Sequence, residues 1–120
     1  MKIAITSQGQ GLDSLIDPRF GRAHWLVVVD TETDAVSAIE NKVNLHAVQG
    51  AGIQSAANVA RQGVQAVISG HCGPKAFKTL QAAGVSVYAA TTGTVQEAVA
   101  RLKQGGLQPV HEADVEGHWI

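Results

Sequence analysis

Apolar positions alternate along Lys2–Ser7 (KIAITS), with Ile3 and Ile5 on one side, and the spacing predicts a first strand. Trp25–Asp30 (WLVVVD) is dense in β-branched residues and predicts a second. TETD then turns the chain, and residues 35–41 complete a hairpin. Between the first two strands runs QGQGLDSLIDPRFGRA, residues 8–23, rich in Gly and with a Pro. A structureless loop that long in a small domain is uncommon, and usually functional or mobile.

The pattern lapses over VNLHAVQGAG and resumes with a helical period. Ile53, Ala56, Ala57 and Ala60 form one stripe of a helix over 53–62, and Gly63 stops it. Ala66–Ser69 (AVIS) is an apolar run suited to a buried parallel strand. Pro74 opens a helix over 75–83 with Ala76, Phe77, Leu80 and Ala83 on its stripe, closed by Gly84. A fifth strand covers 85–90. Thr94 then caps a helix over 95–104, with Glu97 placed three residues on for a capping box. The remaining LQPVHEADVEGHWI has no clear period. It reads as an extension, residues 106–120, extended or disordered, behind a domain of residues 1–105.

The second half thus alternates helix and strand, which makes its strands parallel. The first half is an antiparallel meander. With strand four beside strand one, the sheet has order 3-2-1-4-5 with only strand two reversed and helices on both faces. The loops after strands one, three, four and five then share one edge. Connections diverging between strands one and four make a crevice there, where open α/β sheets bind ligands.

Composition narrows the function classes. The 120 residues make one domain, and 45% hydrophobic with 16% charged residues suits a folded chain. A net charge of −1 gives no global basic field for nucleic acid or membrane, so any anion site must be local. Aromatics at 4% argue mildly against single-stranded nucleic acid. One cysteine allows neither an intrachain disulfide nor a CxxC clamp. There is no signal-like apolar stretch and no run long enough to span a bilayer, so a cytoplasmic location is expected.

Three stretches carry candidate chemistry. In SGHCGPK, Cys72 lies at a helix N-terminus where the dipole and N–H groups favour thiolate, with His71 and Lys75 close by. Thiolate and imidazole also suit copper(I) and metal–sulfur clusters, so His71 and Cys72 are the candidate metal ligands. Equally, Cys72 is a small buried filler and His71 a plain loop residue. In DPRFGRAH, two guanidinium groups flanking Phe-Gly could clasp an anion, or merely pair with Asp13 or Asp17. In NLHAVQGAG, the glycines offer helix-terminal amides to an anion, while His46 is as well read as an exposed loop residue. His111 and His118 form no ligand spacing with each other. Walker A, GxSxG and HExxH motifs are absent, and strand one carries no carboxylate for a two-metal nuclease.

GRAHWLVVVD, then GAGIQSAANVARQGVQAVISG, then GPKAFKTLQAAGVSVY, in that order, resemble the family of dinitrogenase iron–molybdenum cofactor biosynthesis proteins over roughly residues 1–104. The resemblance implies a single RNase H-like, three-layer α/β domain. It also implies non-enzymatic binding of an inorganic metal–sulfur cluster, expected to be a molybdenum–copper sulfide, with partner proteins beyond it. Arg19, Arg22, His46, His71, Cys72 and Lys75 are the residues it carries onto cofactor binding; Gly50, Gly52 and Gly73 join them as open backbone for a bulky anion, and none is catalytic. Family members often lack a cysteine beside the Gly-Pro, so a Cys–metal bond is not implied. The competing expectations are a thiol-dependent redox enzyme using Cys72 and a small-anion or nucleotide sensor working through the same helix terminus.

Overall fold

The computed structural model of the chain describes residues 1–44 and 46–111. Five strands, β1 (Lys2–Ser7), β2 (Trp25–Asp30), β3 (Val36–Glu40), β4 (Ala66–Ser69) and β5 (Ser86–Ala89), form one sheet in the order β3-β2-β1-β4-β5. β2 runs antiparallel to both neighbours, while β4 and β5 are parallel to β1. This is the order expected from the alternation of elements. Parallel neighbours need a crossover, which α2 (Pro74–Ala82) supplies between β4 and β5 and α1 (Ala51–Ala60) supplies ahead of β4.

Register sends each strand's side chains to two different layers. Ile5 lies opposite Val27 on one side and Ile68 on the other. These residues, with Ile3 and Val29, pack under α3 (Val95–Lys103) against Val95, Ala98 and Val99. The alternate residues Ala4, Leu26, Val28 and Val67 face α1 and α2, meeting Val59, Phe77 and Leu80. Each fully buried aliphatic side chain contributes about 1.5–3 kcal/mol, so both interfaces are strong. Two helices cover one face of the sheet and one covers the other.

Three details differ from the expectations. α1 begins at Ala51, and its buried residues are Ser55, Ala56, Asn58 and Val59, not the Ile53–Ala56–Ala57–Ala60 stripe. The helix is rotated because polar partners, described below, hold Ser55 and Asn58 inward. The loop over residues 8–23 is tied down along its length, with Gln8 N–H donating to Leu15 O (2.9 Å), Ile16 N–H to Gly93 O (3.0 Å) and Asp17 N–H to Thr6 O (2.9 Å). The start of the extension also joins the fold. Leu107 is buried with the α3-side cluster, Pro109 bridges Tyr88, and Val110 N–H donates to Val87 O at 2.7 Å. Residues 112–120, with His118, lie outside the described residues.

Candidate anion-binding groove

Because β3, β4 and β5 all run the same way as β1, the helices that follow them, α1, α2 and α3, begin at one edge of the sheet. Each helix start leaves N–H groups without intrahelical acceptors. The three starts are treated differently. At α3, Thr94 Oγ1 accepts from Glu97 N–H (3.2 Å) and Glu97 Oε1 accepts from Thr94 N–H (2.9 Å), the capping box expected from TVQE. Loop carbonyls take the next two, Ser14 O from Val95 N–H and Leu12 O from Gln96 N–H, both at 2.9 Å. Those bonds hold the Glu97 carboxyl below its ordinary 4.5, the Thr94 backbone N–H foremost and its hydroxyl next. That terminus is sealed.

The other two are open. α1 and α2 have glycine N-caps, Gly50 and Gly73, whose extended backbones bring no capping side chain. Among the described residues, no hydrogen-bond acceptor takes the amides of Gly52 and Ile53 in α1 or of Lys75 and Ala76 in α2. Pro74 at the start of α2 has no N–H to satisfy. Both termini face one groove of about 350 Å³. Phe20, Ile53 and Ala76 form its apolar wall, Gly50, Gly52 and Gly73 its backbone surface, and Lys75 its charge.

The third wall is the 3-10 turn Phe20–Arg22. Gly21 lies so close to α1 that a Cβ there would sit 3.1 Å from Gly52 N. A side chain at residue 21 would push the turn away from the helix and open the groove. On the far side of Gly21 lies a second groove of about 400 Å³, lined by residues 21–24 and 40–43 and bearing Arg22, His24, Lys42 and Glu40.

The crevice expected between the tips of β1 and β4 is filled by the chain itself. Asp17 O accepts from Thr6 Oγ1 (2.7 Å), Thr6 Oγ1 also meets Ser69 Oγ (2.7 Å), and His71 N–H donates to Pro18 O at 2.7 Å. Arg19 bridges His71 in parallel fashion, so residues 17–19 act as a plug. Gly70 permits it, since a Cβ there would lie 2.6 Å from Pro18 O. The cavity is thereby displaced to the α1–α2 side. Gly93 sits against Glu97 and Arg101 of α3.

The residues singled out in the sequence fall into distinct places. Gly50, Gly52, Gly73 and Lys75 line the first groove, and Arg22 lines the second. Arg19 is exposed and turns back to Asp17, a carboxylate 2% exposed, with Nε 3.4 Å from Oδ1. His46 is exposed on the loop ahead of α1, its N–H donating to Asn44 Oδ1 at 2.9 Å. His71 is half-buried beside the plug. Cys72 is 5% exposed and belongs to the apolar cluster beneath α1 and α2. Among the described residues no group of three or more His, Cys, Asp or Glu side chains could cage a metal ion. The edge offers amides, a guanidinium and an ammonium group.

Some residues that shape the site are inconspicuous in the sequence. Gly21 is hidden between the two arginines that draw the eye. Asn41, Ser55 and Asn58 are buried and bonded to one another. The one local hint is Ser55 and Asn58, three residues apart and beside Ala56 and Val59, which breaks the apolar stripe.

The sequence profile of the family described as dinitrogenase iron–molybdenum cofactor matches residues 1–105. A protein of Methanocaldococcus jannaschii is 32% identical over 111 residues, 90% of each chain. Among solved structures, the apo orange protein of Desulfovibrio gigas superposes with a TM-score of 0.89 at 41% identity, covering 95% of this chain and 96% of that one. A NifB-like protein of Thermotoga, of the DUF35 family, gives 0.83 at 35% identity over 97% and 98% of the two chains.

Proposed function

The chain belongs to the dinitrogenase iron–molybdenum cofactor family, and we propose that it is a non-enzymatic binding and carrier protein for an anionic molybdenum–sulfur cluster. The observation that carries this reading is the contrast among the helix starts. Two neighbouring helices open uncapped N-termini into one groove, while the third is sealed. Each open terminus acts as about half a positive charge with N–H donors aimed outward. A preformed sulfide cluster brings its own ligands, so it needs donors, charge and a shaped wall more than a cage of side chains. The groove offers all three.

The residues divide the work. Amides of Gly52, Ile53, Lys75 and Ala76 donate to cluster sulfides, and the glycine N-caps let a bulky anion approach the backbone. Phe20 and Ile53 give the soft, weakly hydrated sulfides an apolar wall. Lys75 and Arg22 balance charge from the two sides of Gly21. Arg19, His46 and His71 surround the edge as outer contacts. A molybdenum–copper sulfide is the cargo we favour, as the family resemblance implies. With Cys72 buried, charge and amide bonds hold the cluster, and the thiol is no nucleophile.

The test is anaerobic incubation of the metal-free protein with tetrathiomolybdate and a copper(I) source, followed by desalting. Charge-transfer bands should co-elute with wild type and with Cys72→Ser. Each rim charge supplies on the order of 1 kcal/mol, so Arg22→Ala with Lys75→Ala should weaken retention about 10- to 30-fold. Colour retained only when Cys72 is present would make the thiol a ligand. No retained colour in wild type would overturn the carrier reading.

A further inference from the structure

We infer that Asn41, Ser55 and Asn58 form a positioning device for Arg22, fixing the guanidinium-bearing turn against α1 before any anion arrives. This rests on the reading of Arg22 as a charge donor to the cargo. The three residues are 6%, 0% and 9% exposed, among the few buried polar ones of the described residues. Asn41 Nδ2 donates to Ala23 O at 2.8 Å and to Ser55 Oγ at 2.9 Å. Asn58 Nδ2 donates to Asn41 Oδ1 at 2.8 Å and to Lys42 O at 3.0 Å. Arg61 donates to Asn58 Oδ1. Asn41 N–H donates to His24 O at 2.8 Å.

Both side-chain amides therefore use both N–H groups and their carbonyl oxygens. The side-chain amides hold the carbonyls of Ala23, the residue directly after Arg22, and of Lys42, while the backbone N–H of Asn41 holds that of His24. The network stitches together the two banks of the second groove, residues 21–24 and 40–43, and ties both to α1. The upstream end of the turn is held separately, by Phe20 N–H donating to His71 O (3.2 Å) and by Gly21 against Gly52. Apolar side chains could fill this volume without the cost of burying amides. A bonded network specifies instead where the turn stands, since each carbonyl has one donor position to satisfy.

A double-mutant cycle on tetrathiomolybdate–copper(I) binding separates positioning from simple stability. Arg22→Ala should weaken binding about fivefold, as should Asn41→Ala. The double variant should be within about twofold of Arg22→Ala, because the network acts through that side chain. Additive losses, or unchanged binding in Asn41→Ala while Arg22→Ala is weakened, would overturn the inference and leave the carrier reading intact. A second measurement needs no cargo. Backbone ¹⁵N order parameters of residues 22–24 should fall in Asn41→Ala, and in the milder Ser55→Ala should Asn41→Ala not fold, while those of residues 26–29 hold. Unchanged order at residues 22–24 would also overturn it.

Discussion

Two single residues show how neighbours settle a side chain's chemistry. Cys72 stands next to a helix start, which by sequence position alone favours a reactive thiolate. Its side chain turns under α1 and α2 instead, where only 5% is accessible. Iodoacetamide should therefore modify the folded protein far more slowly than the protein in denaturant, at a rate that follows local opening. Alkylation as fast as in denaturant would mean the thiol reaches solvent. Glu97 is the opposite case, its role readable in TVQE and kept in the fold. Its carboxyl sits below the ordinary 4.5 because it accepts from the Thr94 N–H and meets the Thr94 hydroxyl. A depressed folded value means the ionised group favours folding above the unfolded value, and this is lost as pH falls through the folded one. Melting temperatures of wild type and Glu97→Gln should therefore differ most near neutral pH and converge in acid. Thr94→Ala should cost about 1 kcal/mol, read from denaturant midpoints.

At the scale of elements, close backbone approaches decide where the cavity lies. Gly70 lets the Pro18 carbonyl plug the gap between β1 and β4. A Cβ there meets backbone at 2.6 Å, so Gly70→Ala should destabilise the fold by about 1–3 kcal/mol. It should also displace residues 17–19, seen as shifts in the amide resonances of Arg19 and His71. Unchanged stability would mean that the plug yields without cost. Strands β1, β2 and β4 were legible to the residue, because a buried run of β-branched side chains ends where polar residues begin. Helix ends were legible from Gly63 and Gly84, both at positive φ. The orientation of α1 was not. Its stripe reads as an Ala/Ile face, but Asn41, seventeen residues before Asn58, turns Ser55 and Asn58 inward.

Across the whole molecule, charge is grouped locally. Lys75 and Arg22 line the two grooves at one edge of the sheet, while Asp30, Glu32 and Asp34 stand at the hairpin turn on the other, where the N-terminus lies 3.7 Å from Glu32 and Lys103 3.5 Å from Asp34. A six-residue strand spans roughly 20 Å, beyond the Debye length of about 8 Å at physiological salt. Asp34→Asn should thus leave cluster retention unchanged, while Lys75→Ala alone lowers it several-fold in the desalting assay. An equal effect from both would point to a net-charge effect in place of a local site.

The sequence by itself determined the sheet order, the layering and the edge at which the loops and helix starts gather. Those follow from local periodicity and from the need of parallel strands for crossovers, both of which are short-range or topological. The motifs likewise carried the family resemblance, to which the match over residues 1–105 belongs. Only the tertiary structure decided that the β1–β4 gap is plugged and that α3 is sealed while α1 and α2 are open. It also decided that Cys72 faces the core. Each of those turns on which distant carbonyl reaches which amide, and on contacts between Gly21 and Gly52 or Pro18 and Gly70, residues far apart in the chain. No periodicity records such distances.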